Sequence, residues 1–307
     1  MGVNLGGRKA MPLLENAVSP FEEMVAYEAL ASRESLKEVS RRLSHPGLLP
    51  SRLLRQTQIP DAEIASIRNF LGQKTGFTIH LRGLFQYPPA LEDAQDPVRV
   101  FYAKGDIGLL ESRRISVVGA RKVSPDGARR TAKLTAALVK TGFTIVSGLA
   151  VGVDTVALTT AVGKGGRVVA VIGTPIDEYY PKENRRLQDE IASKHLLISQ
   201  VPFYRYSTQP FAHRRFYFPM RNETMAALSE ATVIVEASET SGTLTQARAC
   251  IQQGRKLFIL DSCFENKAIT WPRKFEARGA IRVRSVEQIL SALGDGQPQE
   301  WPHGGEE

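Results

Sequence analysis

The chain has 307 residues, 42% hydrophobic and 23% charged, with 40 Lys and Arg against 32 Asp and Glu for a formal net charge of +8. That composition excludes a mainly disordered chain, and at this length roughly three quarters of the unfolded surface can be buried, so no disulfide framework is required. The basic excess favours a polyanionic partner.

Residues 1–18 are Gly-rich and aperiodic and are expected to form a disordered tail. Ser19-Pro20 reads as an N-cap followed by proline at the first helical position. From Phe21 to about Leu71 the apolar residues Met24, Tyr27, Leu30, Leu36, Val39 and Leu43 recur at helical spacing, interrupted at Pro46-Gly47 and Ile59-Pro60-Asp61. Residues 19–75 are therefore expected to form a small N-terminal helical domain. Its thin apolar face implies packing against something larger, as a structural or interaction module.

Beyond residue 76 the texture changes. Phe77–Leu81 and Val98–Tyr102 are β-like runs flanking Tyr87-Pro88-Pro89. Then Ile115–Gly119, Phe143–Ser147, Val168–Ile172, Leu196–Ser199, Thr232–Glu236, Leu257–Leu260 and Ile281–Val283 read as strands. Helix-like stretches at 126–140, 153–163, 184–193, 242–253 and 285–293 separate most of them. Continuous Val/Ile strands alternating with helices predict a sheet covered on both faces. The expected fold is α/β: an extended Rossmann-like, doubly wound, mainly parallel sheet over residues 76–294. The polar, Gly/Pro-rich residues 295–307 are expected to be disordered.

In such sheets ligands bind beyond the carboxyl ends of the strands, where helix N-termini point free amides. Three strand-end loops carry the small residues that close backbone approach requires: 118–122, which includes Arg121 and Lys122, 147–154 and 236–243. Together they predict a composite phosphate cradle. Neither GxGxxG nor GxxxxGK[ST] is present, which argues against a dinucleotide cofactor or a P-loop NTPase. Residues 113–140 hold eight basic residues against Asp126 alone. Residues 203–221 hold Arg205, Arg214, Arg215 and Arg221, no acid and seven aromatics. In an irregular loop, that mixture is the chemistry of single-strand binding, with guanidinium groups on phosphates and rings on unpaired bases.

The acids Asp154, Asp177, Glu236 and Glu239 lie near strand ends without the spacing of an acid/base couple; Asp154 reads as a helix-start acid. Ser147 and Ser241 have no evident base, and there is no GxSxG. The two cysteines, Cys250 and Cys263, lack CxxC spacing, and the five histidines lack i,i+4 spacing. No metal, no cofactor and no catalysis are therefore expected. No apolar run is long enough for a membrane span or a signal peptide, so a cytoplasmic protein is expected.

With these residues in hand, the region from Phe77 to Leu293 resembles the DNA-processing protein A (DprA/Smf) family. Phe77–Leu81 with Tyr87-Pro88 looks like the segment that introduces the family's extended Rossmann domain. Val118-Gly119-Ala120-Arg121 is similar to its VG(S/T/A)R motif, and residues 147–154 to its SGLAxGxD. Tyr180–Asn184 resembles YPxxN, Phe218–Asn222 resembles FPxRN, and Val235-Glu236-Ala237 with Ser241-Gly242-Thr243 resembles VEA…SG(S/T). The resemblance implies single-stranded DNA bound in a positive pocket of a dimeric Rossmann domain. It further implies help in loading the RecA recombinase, chiefly during uptake of transforming DNA, with no cofactor. Carried over by position, Arg121 and the Gly119 and Ala120 amides would hold phosphate, Arg215 would be a second cation and Phe218 would stack on a base. The full candidate set is Gly119, Ala120, Arg121, Lys122, Ser147, Gly148, Arg214, Arg215, Phe218, Arg221, Asn222, Ser241, Gly242 and Thr243.

Two positions depart from the family pattern. Leu158 replaces the His that ends SGLAxGxDxxAH, and Glu223 replaces the second Arg of FPxRNR, which would set an acid in or beside the DNA pocket. A C-terminal winged-helix domain, which many members carry, is not expected. These departures suit a divergent member from a mobile element or defence locus. Two other readings follow from the same residues: a phosphoribohydrolase-like protein that senses or cleaves a nucleotide, and a scaffold that has lost DNA affinity. The first is disfavoured because residues 241–246 lack the glycines and acid of PGGxGTxxE.

Overall fold

The structure, a computed structural model, describes residues 18–294 apart from Pro46, Phe85, Asp93, Gln95 and Asp96, so the two expected tails lie outside the described residues but for Val18. Ser19 caps the first described helix, α1 (Pro20–Arg33), by accepting from the Glu22 amide at 3.3 Å. Three more helices follow: α2 (Leu36–Arg42), α3 (Pro50–Leu54) and α4 (Asp61–Leu71). In α1 every residue from Glu23 to Ala31 is buried, because α3, α4 and a later helix surround it. Met24, Leu30, Ile67 and Leu71 belong to the same apolar cluster as Tyr102, Ile115 and Phe203 of the sheet region. The helical segment therefore shares its core with the sheet.

Among the described residues nine strands form one sheet: β1 (Thr78–Leu81), β2 (Val100–Gly105), β3 (Arg114–Val118), β4 (Thr144–Ser147), β5 (Val168–Ile172), β6 (Leu196–Ser199), β7 (Ala231–Ile234), β8 (Lys256–Leu260) and β9 (Ile281–Val283). Their order is β1-β2-β6-β5-β4-β3-β7-β8-β9. β1 and β2 are antiparallel to their neighbours, and the other pairs are parallel. The sheet is thus mixed and mostly parallel, with helices on both faces, consistent with a Rossmann-like α/β fold. Period-two alternation splits the strands between two cores: Ile145, Ala170 and Ile172 face one cluster, Val146, Val169 and Val171 the other. The first face is covered by α5 (Pro125–Lys140) and α6 (Val153–Gly163). After α7 (Arg185–Lys194) the chain completes β6, then returns across β3 to start β7. The strand order therefore reverses between β3 and β7, which opens a crevice at their carboxyl ends.

Residues 203–221 are not an irregular loop. They fold as α8 (Phe203–Thr208), α9 (Phe211–Arg214) and the start of α10 (Tyr217–Leu228). Pro202 and Pro210 stand at the caps of α8 and α9, and the buried Phe203 and Tyr217 rings anchor the run. Pro219 sits in the first turn of α10, where a missing amide costs no helical bond, and Phe218 is helical although it precedes a proline. The remaining helices are α11 (Thr243–Gln252), α12 (Asp261–Glu265), α13 (Trp271–Glu276) and α14 (Val286–Leu293). No helix among the described residues is long and apolar enough to cross a membrane.

A buried carboxylate joins α1 to the sheet. Glu28 accepts from the amides of Phe203 and Tyr204 at 2.8 and 2.9 Å, the open N-terminus of α8, and from the Tyr102 hydroxyl at 2.6 Å. Burial pushes its carboxyl up to about 7, against the pull of these three donors. The Lys74 ammonium, 2.6 Å from Asp177, ties the end of the helical segment to the loop after β5.

Candidate nucleic-acid interface

The crevice between β3 and β7 holds a cavity of about 540 Å³. It is assembled from the loop after β3, the first turns of α6 and α10, and the loop that leads into α11. Gly119 leaves β3 where a Cβ would stand 2.6 Å from the Glu236 carbonyl oxygen and 2.7 Å from Val153 Cγ2, so only glycine lets the three elements meet. Gly152, at φ +85°, brings the second loop against the Ala120 and Arg121 carbonyls, where any side chain would collide. With the backbone so held, Arg121 and Lys122 project outward and are exposed at the cavity rim.

Arg121 lies over the Phe218 ring at 5.6 Å, and Tyr180, half exposed, meets the same ring at 5.4 Å. Phe218 rests on Gly173, whose Cβ would come within 2.7 Å of the ring, and this fixes the phenyl at the end of β5. The opposite wall is hydroxyl and amide: Ser238, Ser241, Thr243, Thr245, Asn222 and Gln246. Thr243 donates to the Gly119 carbonyl at 3.0 Å and Asn222 to the Gly242 carbonyl at 3.1 Å, which lock the α11 loop against β3 and α10.

The floor is a buried ion pair. Arg221, 5% exposed, donates from Nη1 to the Val171 carbonyl at 3.1 Å and lies 3.9 Å from Asp154 Oδ2. The Asp154 carboxylate also accepts the Gly148 and Ala150 amides at 3.2 and 3.4 Å. Burial raises the Asp154 carboxyl and lowers the Arg221 guanidinium from their ordinary values, and the opposite charges partly offset both shifts.

Of the candidate residues, Gly119, Ala120, Arg121, Lys122, Phe218, Arg221, Asn222, Ser241, Gly242 and Thr243 line this cavity. Their roles differ from those the sequence suggests. The Ala120 amide donates to the Glu236 carbonyl at 2.6 Å, so it is not open to a phosphate. Arg221 is committed to Asp154 and Val171. Ser147 is fully buried and donates to the Val117 carbonyl at 2.8 Å, away from the lining. Gly148 lies below the floor, where a Cβ would overlap the Arg221 guanidinium. Arg214 and Arg215 stand on α9 and the turn before α10, outside the cavity.

Glu223 does not border the cavity at all; it faces the other side of α10. Leu158 is fully buried in α6, where it packs into the core. The strand-end acids are also accounted for. Glu236 accepts from the Ser124 amide and hydroxyl at 3.0 and 2.6 Å and so holds the residue that caps α5, and Glu239 accepts from Thr270. Tyr180, Ser238, Met225, Thr245 and Gln246 also stand at the site but are not among the candidates. A helical assignment of 217–228 would have found Met225, because Phe218, Asn222 and Met225 follow i, i+4, i+7.

The sequence model described as DNA recombination-mediator protein A matches residues 79–294. The DNA processing protein DprA of Streptococcus pneumoniae is 40% identical over 206 residues, 67% of this chain and 70% of that protein. The DNA processing protein DprA of Bacillus subtilis is 35% identical over 209 residues, 68% of each chain. The crystal structure of the S. pneumoniae protein superposes with a TM-score of 0.67 at 29% identity, covering 91% of this chain and 95% of that one. A Helicobacter pylori DNA processing protein A structure superposes at 0.61 with 27% identity, over 71% and 95%.

Proposed function

Because this chain belongs to the DNA recombination-mediator protein A family, we propose that it is a single-stranded-DNA-binding protein that takes the strand into the β3/β7 cavity. The observation that carries this reading is the Arg121 guanidinium poised over the Phe218 ring beside the exposed Lys122 and Tyr180. Phosphates sit against Arg121 and Lys122. Bases lie on the faces of Phe218 and Tyr180, a contact open to any base because every base has a π-face. The hydroxyl wall from Ser238 to Thr245 offers donors and acceptors to sugar and phosphate oxygens. The H. pylori relative is described by its single-stranded DNA binding mode, in support of the same partner. Handing the strand to a RecA-type recombinase, and doing so as a homodimer, are the finer steps of this proposal. With Asp154 and Glu236 engaged in the scaffold, the site is read as a binding cradle rather than a hydrolytic centre.

The deciding experiment is a salt titration of affinity for single-stranded and duplex oligonucleotides of equal length. Single strands are expected to bind more tightly, with a log–log salt slope of about −0.7 for each phosphate neutralised. Arg121→Ala is expected to flatten that slope by about one such increment. Equal affinity for duplex, or an unchanged slope in the variant, would refute the reading. Stimulation of recombinase filament nucleation on the bound strand tests the handover, and sedimentation tests the dimer.

A further inference from the structure

The first turns of α10 form a ridge with a second cavity behind it. Phe218, Asn222 and Met225 border the first cavity, whereas Phe216, Met220 and Glu223 border the second, a space of about 480 Å³ between α2, the approach to β2 and α8–α10. Beside it, on α8, α9 and the turn before α10, aromatic rings are paired with guanidinium groups. Arg214 lies over Tyr206 at 4.5 Å and over Phe211 at 5.9 Å, and Arg215 lies over Phe216 at 5.5 Å. Phe211 is 83% exposed and Phe216 58%, although phenylalanine is ordinarily a core residue. Large exposed apolar side chains grouped on one edge mark a binding surface.

The chemistry of that edge selects its ligand. No acid occurs between Phe203 and Asn222, so the rings and cations of this segment are not accompanied by a negative charge of its own. An occupant must present flat faces to the rings and negative charge to the guanidinium groups. A polynucleotide with unpaired bases does both. Phe216 and Phe218 are two residues apart, within about 7 Å along the chain. A strand that leaves the first cavity over the ridge meets Arg215 and Phe216 next. We propose that Phe211, Arg214, Arg215 and Phe216 form a second base-stacking station for single-stranded nucleic acid, continuous with the cavity across the first turn of α10. This rests on the proposed binding of single strands in that cavity, and extends its path on to a surface that the cavity itself does not include.

Both phenyl rings are exposed, so Phe211→Ala/Phe216→Ala in the full chain is expected to melt as the unmodified protein does. Affinity is read for two homopyrimidine oligonucleotides, one just long enough for the first cavity and one several nucleotides longer. The longer strand is expected to lose roughly 5- to 150-fold per stacked base removed, with the shorter strand unaffected. Phe211→Tyr/Phe216→Tyr, which keeps the ring faces, is expected to retain the longer strand. Failure of the unmodified chain to bind either strand would overturn the cavity reading and this one with it. If the unmodified chain binds both, but the alanine variant loses nothing on the longer strand or loses equally on both, the second station alone is overturned. In that case the exposed rings serve a protein partner or the cavity itself.

Discussion

Arg221 offers the sharpest separation between a DNA ligand and a scaffold residue. Its guanidinium faces the cavity floor, yet its charge is spent on Asp154 at 3.9 Å and its Nη1 on the Val171 carbonyl. At an effective dielectric constant of about 20, opposite charges at that distance attract by about 4 kcal/mol. Loss of one partner of a buried pair costs about 3–5 kcal/mol, because the other charge stays buried and uncompensated. Arg221→Met keeps much of the stem's packing while leaving Asp154 alone, and is expected to cost about that much. For a domain of this size the melting temperature falls on the order of 10 °C. Asp154→Asn added to it removes the stranded charge while leaving an oxygen for the Gly148 and Ala150 amides, and is expected to recover more than half of the loss.

The pH dependence follows in sign. Burial already raises the Asp154 carboxyl, and removal of Arg221 raises it further. A carboxyl raised in the folded state binds protons that the unfolded chain releases, so stability drops as pH rises through that window. The deficit of Arg221→Met should therefore shrink as pH falls toward the carboxylate range. Chemical denaturation of the two single variants and the double variant across pH supplies the measurements, with the salt slope of single-strand binding alongside. A variant that melts like the unmodified protein but binds with a shallower salt slope would refute the scaffold role and return Arg221 to the phosphate path.

Phe218→Ala is expected to weaken single-strand affinity by about 1–3 kcal/mol per stacked base while moving the melting temperature little, as titration and calorimetry on the same variant can show. Gly119→Ala drives a methyl against the Glu236 carbonyl and Val153, and is expected to cost about 1–3 kcal/mol of stability by denaturant titration, with the rim loop displaced. Glu28→Gln tests the carboxyl raised to about 7. The unmodified protein should lose about 3 kcal/mol of Glu28-linked stability as pH rises from the ordinary carboxylate value to about 7, and the glutamine variant should lack that slope.

Much of the fold was legible because most of the parallel strands are short runs rich in Val, Ile and Leu and buried on both faces, a pattern with few other homes. β3 through β9 fall within a residue or two of the runs read from sequence. The site was legible in its loops, since Gly119 and Gly152 are glycines for reasons of close approach. What escaped was the state of residues 203–221. Two prolines, preceded by Pro202, and seven aromatics resemble a loop until the prolines are placed at helix caps and first turns. The resemblance alone sets Glu223 in or beside the DNA pocket, whereas a helical turn rotates it to the far side of α10. Arg221 and Ser147 were hidden in another way. Sequence gives the residue type but not the tertiary partner, and both are consumed by groups from distant segments: Val171 and Asp154 for one, Val117 for the other.

The Glu28 carboxylate has a consequence for the order in which the molecule is made. Its amide partners lie 175 and 176 residues further along the chain, so α1, made long before α8, cannot finish its buried face until α8 has been synthesised and β2 is in place. Until then α1 carries an acidic side chain in the middle of an apolar surface, a charge that water solvates and that discourages premature burial. Completing that face requires the closing of a loop of 175 residues, a cost in entropy that grows only slowly with length. The N-terminal helices act as a clasp whose seat is complete only once Phe203 and Tyr204 have joined the same core.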